Sequence, residues 1–148
     1  MNQFSRAIGL KLLLASAVFI ALGCQAQESE VVKPKLAFDV EVGKSRLHYL
    51  QYNAELYYPC PKISLTRGDK VLEQRDLCTY QDRFGNSFDI RNDISFVEID
   101  DAKVENNKLA FTVDVSLKGA TAFLLKCTLP FDENKLGEQH CTVEDLPN

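Results

Sequence analysis

The stretch Ile94–Leu117, ISFVEIDDAKVENNKLAFTVDVSL, restricts the fold more than any other part of the chain. From Leu109 onward every second residue is apolar: Leu109, Phe111, Val113, Val115 and Leu117, with Ala110, Thr112, Asp114 and Ser116 between them. Period two is the signature of a strand with one buried face. Asn106-Asn107 lies just upstream, and asparagine tolerates positive φ, so a two-residue primed turn is predicted there. That turn pairs Val104 with Leu109 and Ala102 with Phe111. Carried further without interruption, it sets Asp100 against Val113, polar against apolar. One extra residue at Asp100-Asp101 restores the match, with Ile99 meeting Val113 and Val97 meeting Val115. A β-bulge is therefore predicted at Asp100-Asp101. A slip of one residue would turn every side chain to the wrong face, so the apolar pattern fixes the register.

The rest of the chain repeats this theme. Leu36, Phe38, Val40 and Val42 alternate with Ala37, Asp39 and Glu41 as a half-buried strand. Gly43-Lys44 turns the chain into a second strand, Arg46 to Tyr52, whose inward face the sequence leaves open. Ile63 and Leu65, the turn Arg67-Gly68-Asp69-Lys70, and Val71 to Leu77 read as a hairpin. Pro59 and Pro61 bar a central strand around Cys60. Tyr80 to Asp93 is loop-rich with Gly85-Asn86 as a turn, and Phe88 and Ile90 form a short strand or a lid. Phe123, Leu125, Cys127 and Leu129 make another strand, in which Leu124 on the outer face suggests cover on both sides. Pro130 to Gly137 reads as a loop and Glu138 to Val143 as the last strand. No stretch in this part supplies three turns of amphipathic helix. The expectation is one all-β domain over 36–146, an antiparallel β-sandwich or barrel of about eight short strands, with immunoglobulin-like connectivity among the arrangements open to it.

The start of the chain has a different character. Arg6 and Lys11 precede Leu12–Leu22, an uncharged apolar run of eleven residues, too short for a permanent bilayer span and suited to the core of a signal peptide. Ala21-Leu22-Gly23-Cys24 follows. This resembles the lipobox of bacterial lipoproteins, although the leucine stands two residues before the cysteine and Ala21 occupies its usual place. The resemblance covers the first 24 residues only. It implies a signal peptide over 1–23 and attachment of acyl chains such as palmitate to Cys24. Gln25, rather than Asp, then implies transfer to the outer membrane, facing the periplasm. Acyl anchoring contributes about 0.8 kcal/mol per buried CH₂. A second route stays open: Cys24-Gln25-Ala26 also suits cleavage after Ala26, which would release a soluble periplasmic or secreted protein. Polar, proline-containing 24–35 reads as a flexible tether.

Charge and cysteine use agree with export. Without Arg6 and Lys11, 15 of the 17 Lys and Arg residues remain against 21 Asp and Glu, a net charge of −6. No basic stripe is present, which argues against a nucleic-acid partner. Beyond Cys24 there are four cysteines, Cys60, Cys78, Cys127 and Cys141, and an oxidising compartment favours two disulfides. Four cysteines allow three pairings. Cys60–Cys78 and Cys127–Cys141 are preferred because each pair brackets a predicted hairpin, while a crossed pairing between sheets stays open.

Catalytic signals are weak. His48 and His140 are the only histidines, and neither lies in a metal or nucleophile motif. His140 adjoins Cys141, but a bonded cysteine is neither nucleophile nor zinc ligand. Asp82, Asp89, Asp93, Asp100 and Asp101, like Asp132, Glu133 and Glu138, lack the spacing of a calcium loop and read as turn and bulge residues. No catalytic residue, metal or cofactor is expected. All five tyrosines, Tyr49, Tyr52, Tyr57, Tyr58 and Tyr80, fall in the first half of the domain. Tyr57-Tyr58 before the first disulfide is the candidate contact surface, since tyrosine couples a large apolar face to a polar tip. Core packing of alternate tyrosines is the competing account. The resulting expectation is a non-enzymatic binding module, tied to a membrane by its lipid and contacting a periplasmic protein or a cell-wall polymer. An inhibitor of a lysozyme-type hydrolase is the alternative.

Overall fold

The computed structural model describes residues 32–55, 58–119 and 122–144. Among the described residues, period-two alternation produces ten strands: β1 Leu36–Val42, β2 Ser45–Gln51, β3 Lys62–Arg67, β4 Lys70–Asp76, β5 Thr79–Gln81, β6 Ser87–Asp89, β7 Ile94–Glu105, β8 Lys108–Leu117, β9 Ala122–Pro130 and β10 His140–Glu144. All pairings are antiparallel. One four-stranded sheet has the order β1-β2-β3-β4, the other β10-β9-β8-β7, and β5-β6 form a separate ribbon. The fold is an all-β sandwich, and two of its strands are short pieces within the region read as loop. Its connectivity is not immunoglobulin-like. In that fold neighbouring strands of a sheet are drawn from distant parts of the chain. Here two-residue turns at 43–44, 68–69 and 106–107 return the chain at once to the same sheet, so each sheet is completed as a meander.

The β7–β8 register is the one the apolar pattern demands: Val104 faces Leu109, Ile99 faces Val113 and Val97 faces Val115. Asn106 and Asn107 take φ of 49° and 56°, as a primed turn requires. The bulge falls one residue later than expected. Asp100 pairs with Thr112 and Lys103 with Ala110, which leaves Asp101 and Ala102 opposite Phe111. Asp101 takes the positive φ of 55°, a conformation short polar side chains tolerate better than Ala102 would. A second irregularity at Ser95, between Ile94 and Phe96, sets Ile94 against Leu117, where an uninterrupted register would have set Ser95.

The core lies between the sheets. Leu109, Phe111, Val113 and Val115 of β8 and Phe123, Leu125, Cys127 and Leu129 of β9 are buried in one cluster with Leu47, Tyr49, Ile63 and Leu65 of the first sheet. Each fully buried side chain of this kind contributes roughly 1.5–3 kcal/mol. β2 settles its open face by turning Ser45, Leu47, Tyr49 and Gln51 inward. β9 corrects another expectation: its outer residues Lys126 and Thr128 are exposed and Leu124 is half-buried, so it is covered on one side only. Leu124 instead lies beside Asp114 and Glu144 of the adjacent strands.

Both open sides of the sandwich are latched. On the β1–β7 side, buried Gln51 accepts the Tyr49 hydroxyl at 2.9 Å and donates Nε2 to the Ile99 carbonyl at 2.7 Å. Lys35, at the foot of β1, reaches Asp100 at 3.0 Å. On the β4–β10 side the 131–139 segment, a loop as expected, docks on β4. Glu73 accepts the Leu136 amide at 2.8 Å, and Arg75 donates to the carbonyls of Leu136 at 2.8 Å and Gly137 at 2.6 Å. The disulfides are Cys60–Cys78 and Cys127–Cys141, the preferred local pairing. Cys141 stands directly opposite Cys127 in the β9–β10 ladder, and that strand runs His140–Glu144 rather than from Glu138. Cys24, the leader and most of the tether lie outside the described residues.

Candidate functional site

The tyrosines divide between core and surface. Tyr49 and Tyr80 are buried, and burial pushes both phenols well above the ordinary tyrosine value. Tyr52 and Tyr58 are half-buried, while Tyr57 lies outside the described residues. Tyr58 is held in a polar frame. Its hydroxyl donates to Asp76 Oδ2 at 2.9 Å, and the Lys62 ammonium sits 5.2 Å from its ring centroid. Lys62 and Asp76 are cross-strand partners on β3 and β4, and the Cys60–Cys78 bridge ties together the segments that enter and leave this hairpin. The carboxylate of Asp76 raises the Tyr58 phenol, helped by partial desolvation and opposed by nearby Arg91. Arg91 itself is pinned by Asp89, Nε to Oδ1 at 2.9 Å, which raises the guanidinium further.

One residue past Cys78, the β5–β6 ribbon begins. Its base is built into the core. Tyr80, Phe88 and Ile90 are buried, the Tyr80 hydroxyl donates to the Leu77 carbonyl at 2.9 Å, and Phe88 meets Phe123 edge-on at 6.0 Å. Gln139 reaches the Thr79 carbonyl from the segment before β10, so the ribbon spans the β4–β10 side of the sandwich. Its tip is organised by Asp82. One carboxylate oxygen accepts the amides of Phe84 and Asn86, both at 2.8 Å, and the other accepts the Asn86 side-chain amide at 3.0 Å. Backbone bonds from Gly85 to Asp82 and from Asp82 to Asn86, each 3.0 Å, close the turn. The Asn86 amide and the turn's N–H groups hold the Asp82 carboxyl below the usual range. Gly85 takes φ of 81°, which permits the reversal. On this fixed turn Phe84 is 82% exposed. Full burial of such a ring is worth roughly 1.5–3 kcal/mol, and the free domain leaves that gain unrealised. Apolar alternation does not single out Phe84; its one mark in the sequence is an aromatic residue directly before Gly85-Asn86.

The structure brings His48 into a geometry that sequence spacing concealed. Nδ1 lies 2.7 Å from Asp39 Oδ1 and Nε2 lies 2.8 Å from Thr66 Oγ1. Acid, imidazole and hydroxyl in a row are the elements of nucleophile activation. The row lies on the open outer face of β1, β2 and β3, where His48 is 35% and Asp39 55% exposed. Thr66 lies at a register shift in the β3–β4 pairing, with Leu65 facing Glu73 and Thr66 facing Val71. The row ties β1, β2 and β3 together across the sheet. His140, in β10, is exposed.

The acids do local work. Asp82 orders its turn, Asp93 accepts the Asp89 amide at 2.8 Å, Asp100 pairs with Lys35, and Asp132 caps its own loop through Asn134 at 2.8 Å. Among the described residues no three His, Cys, Asp or Glu side chains group as metal ligands. A cleft of about 150 Å³ lies beside Gln51, Tyr52, Asn53, Pro59 and Phe96, a hollow of about 330 Å³ beside Asp39, His48 and Lys62, and one of about 700 Å³ over Asp101, Lys103 and Lys126. The first is below the roughly 300–1,000 Å³ of ordinary small-molecule sites, and the other two fall within that range. A surface of polar and aromatic side chains runs from Tyr58 through Arg91 and Asp89 to the ribbon and its exposed ring. No protein-family model, curated protein or solved structure matches this chain.

Proposed function

We propose that this chain is an exported lipoprotein, anchored to the outer membrane through Cys24, whose β domain faces the periplasm and binds a periplasmic protein or a cell-wall polymer without catalysing a reaction. The observation that carries this reading is Phe84, 82% exposed on a turn that five hydrogen bonds hold in shape. An aromatic ring so placed contributes nothing to the core, and rigid aromatic anchors are what binding surfaces use. Two disulfides suit an oxidising compartment. Intact-mass analysis of the protein from cell envelopes tests the anchor. Acyl chains on Cys24 support it, whereas a chain starting after Ala26 refutes it. Binding is tested by presenting the purified protein to isolated peptidoglycan and to envelope extract. Retention that falls for Tyr58→Ala or Phe84→Ala supports the reading, and equal retention of all variants refutes it.

A second reading is favoured by the same ribbon. A protruding, pre-ordered turn is the shape that fits a hydrolase cleft, so inhibition of a lysozyme-type enzyme is the alternative. Slower clearing of a peptidoglycan suspension by lysozyme, relieved in Phe84→Ala, would select it.

A further inference from the structure

We infer that the β5–β6 turn is the part of this module that enters its partner, and that the partner is a protein offering an apolar pocket to the Phe84 ring. The inference rests on the binding reading above and names the inserting element and the kind of surface that receives it. Among the described phenylalanines, Phe88, Phe111, Phe123 and Phe131 are buried, and even surface Phe96 is only 39% exposed, against 82% for Phe84. The fold has thus placed its other rings and left this one outside.

Three observations point to a protein pocket. First, the turn is ordered before any partner arrives, through the bonds of Asp82 to Phe84 and Asn86, and its base is locked by Tyr80 and Phe88 in the core. Pre-ordering removes most of the entropy cost of docking a loop. Second, the ring is single and terminal. A glycan strand is gripped by a broad aromatic array, whereas one ring at the tip of a ribbon needs a concavity to be buried. Third, Asp82 and Asp89 of the ribbon are balanced by Arg83 and Arg91, and the chain after the leader holds more acids than bases. No net positive charge therefore draws the turn to an anionic lipid surface. Arg91, at the foot of the ribbon, interacts with Tyr58, so the tyrosine adjoins the base from which the turn projects.

The test is photo-cross-linking of the full, lipidated chain in cells, with p-benzoylphenylalanine in place of Phe84, of Tyr58, or of Val71. Val71 is also exposed but lies at the opposite end of β4. The expected result is one discrete protein adduct from positions 84 and 58, absent from 71, with the peptide cross-linked at 84 lining an apolar pocket of the partner. The Tyr58 probe is then read in Phe84→Leu and Phe84→Ser backgrounds. The adduct should persist with leucine and fall at least about tenfold with serine. Circular dichroism of both variants should match the parent, because the ring lies outside the core. An adduct at 58 that survives Phe84→Ser overturns the inference and leaves the binding module standing. Lipid adducts at 84, or equal adducts at 71, also overturn it. Absence of any adduct at both 58 and 84 overturns the binding reading with it.

Discussion

Replacing Gln51 by leucine probes how the two sheets are held together. Gln51 is 4% exposed and joins the buried Tyr49 hydroxyl at 2.9 Å to the Ile99 carbonyl of the opposite sheet at 2.7 Å, a carbonyl that Lys35 Nζ also reaches at 3.4 Å. Leucine has nearly the same volume but can neither donate nor accept. The Tyr49 hydroxyl is then left without a partner, at a cost of about 1–3 kcal/mol. Gln51→Leu should lose about 1–3 kcal/mol, or roughly 4–15 °C in Tm for a domain of this size. Tyr49→Phe in the same background removes the orphaned group. The double variant should therefore lose at least about 1 kcal/mol less than the sum of the single variants. The assay is urea unfolding of the mature, disulfide-intact protein, followed by tyrosine fluorescence because the chain has no tryptophan. A loss below about 0.5 kcal/mol for Gln51→Leu, or strictly additive single variants, would refute the view that this amide latches the sandwich.

Other expectations follow from single positions. Asp101 sits at φ 55° in the β7 bulge, so Asp101→Gly should be neutral or stabilising while Asp101→Val loses about 1–2 kcal/mol or more; equal stability of the two would exclude a left-handed bulge. The Cys127–Cys141 bridge spans a sequence separation of 14, and replacing both cysteines by alanine should lower stability by about 3 kcal/mol in the chain-entropy model, measurable by thermal unfolding against the parent. Acid should loosen the ribbon tip and the 131–139 latch. Asp82 is held down chiefly by the Asn86 side chain and Glu73 chiefly by the Leu136 amide, so both carboxyls titrate below their unfolded values. Their contributions are complete above those unfolded values and disappear as pH falls through the folded ones. Amide protection at Phe84, Asn86 and Leu136 should accordingly decline below about pH 4, and protection unchanged at pH 2 by hydrogen-exchange NMR would contradict the assignment.

The sequence by itself determined the strands and the central register. Leu109 to Val115 alternate so strictly that only one pairing with Val97 to Val104 buries both apolar sets, whereas the local disulfides were chosen by the fold from three pairings open to the sequence. It did not determine the bulge to the residue, because Asp100 and Asp101 are alike in composition and differ only in the backbone conformation each adopts. Nor did it fix the inward face of β2, where Ser45 and Gln51 read as polar until the 131–139 loop supplies Glu133 and the second sheet supplies Ile99 as their partners. Meander rather than interleaved connectivity was hidden for a related reason: alternation states which face is buried but not which sheet covers it. The candidate surface was half legible. Tyr58 could be singled out by its neighbours in the chain, whereas Phe84 gained its meaning from the ribbon that lifts it clear of the core. The His48 row was invisible, since Asp39 and Thr66 meet the imidazole only through strand pairing. Local pattern sets what each residue offers, and the three-dimensional arrangement of distant residues sets which of those offers find a partner within the fold and which are left facing outward.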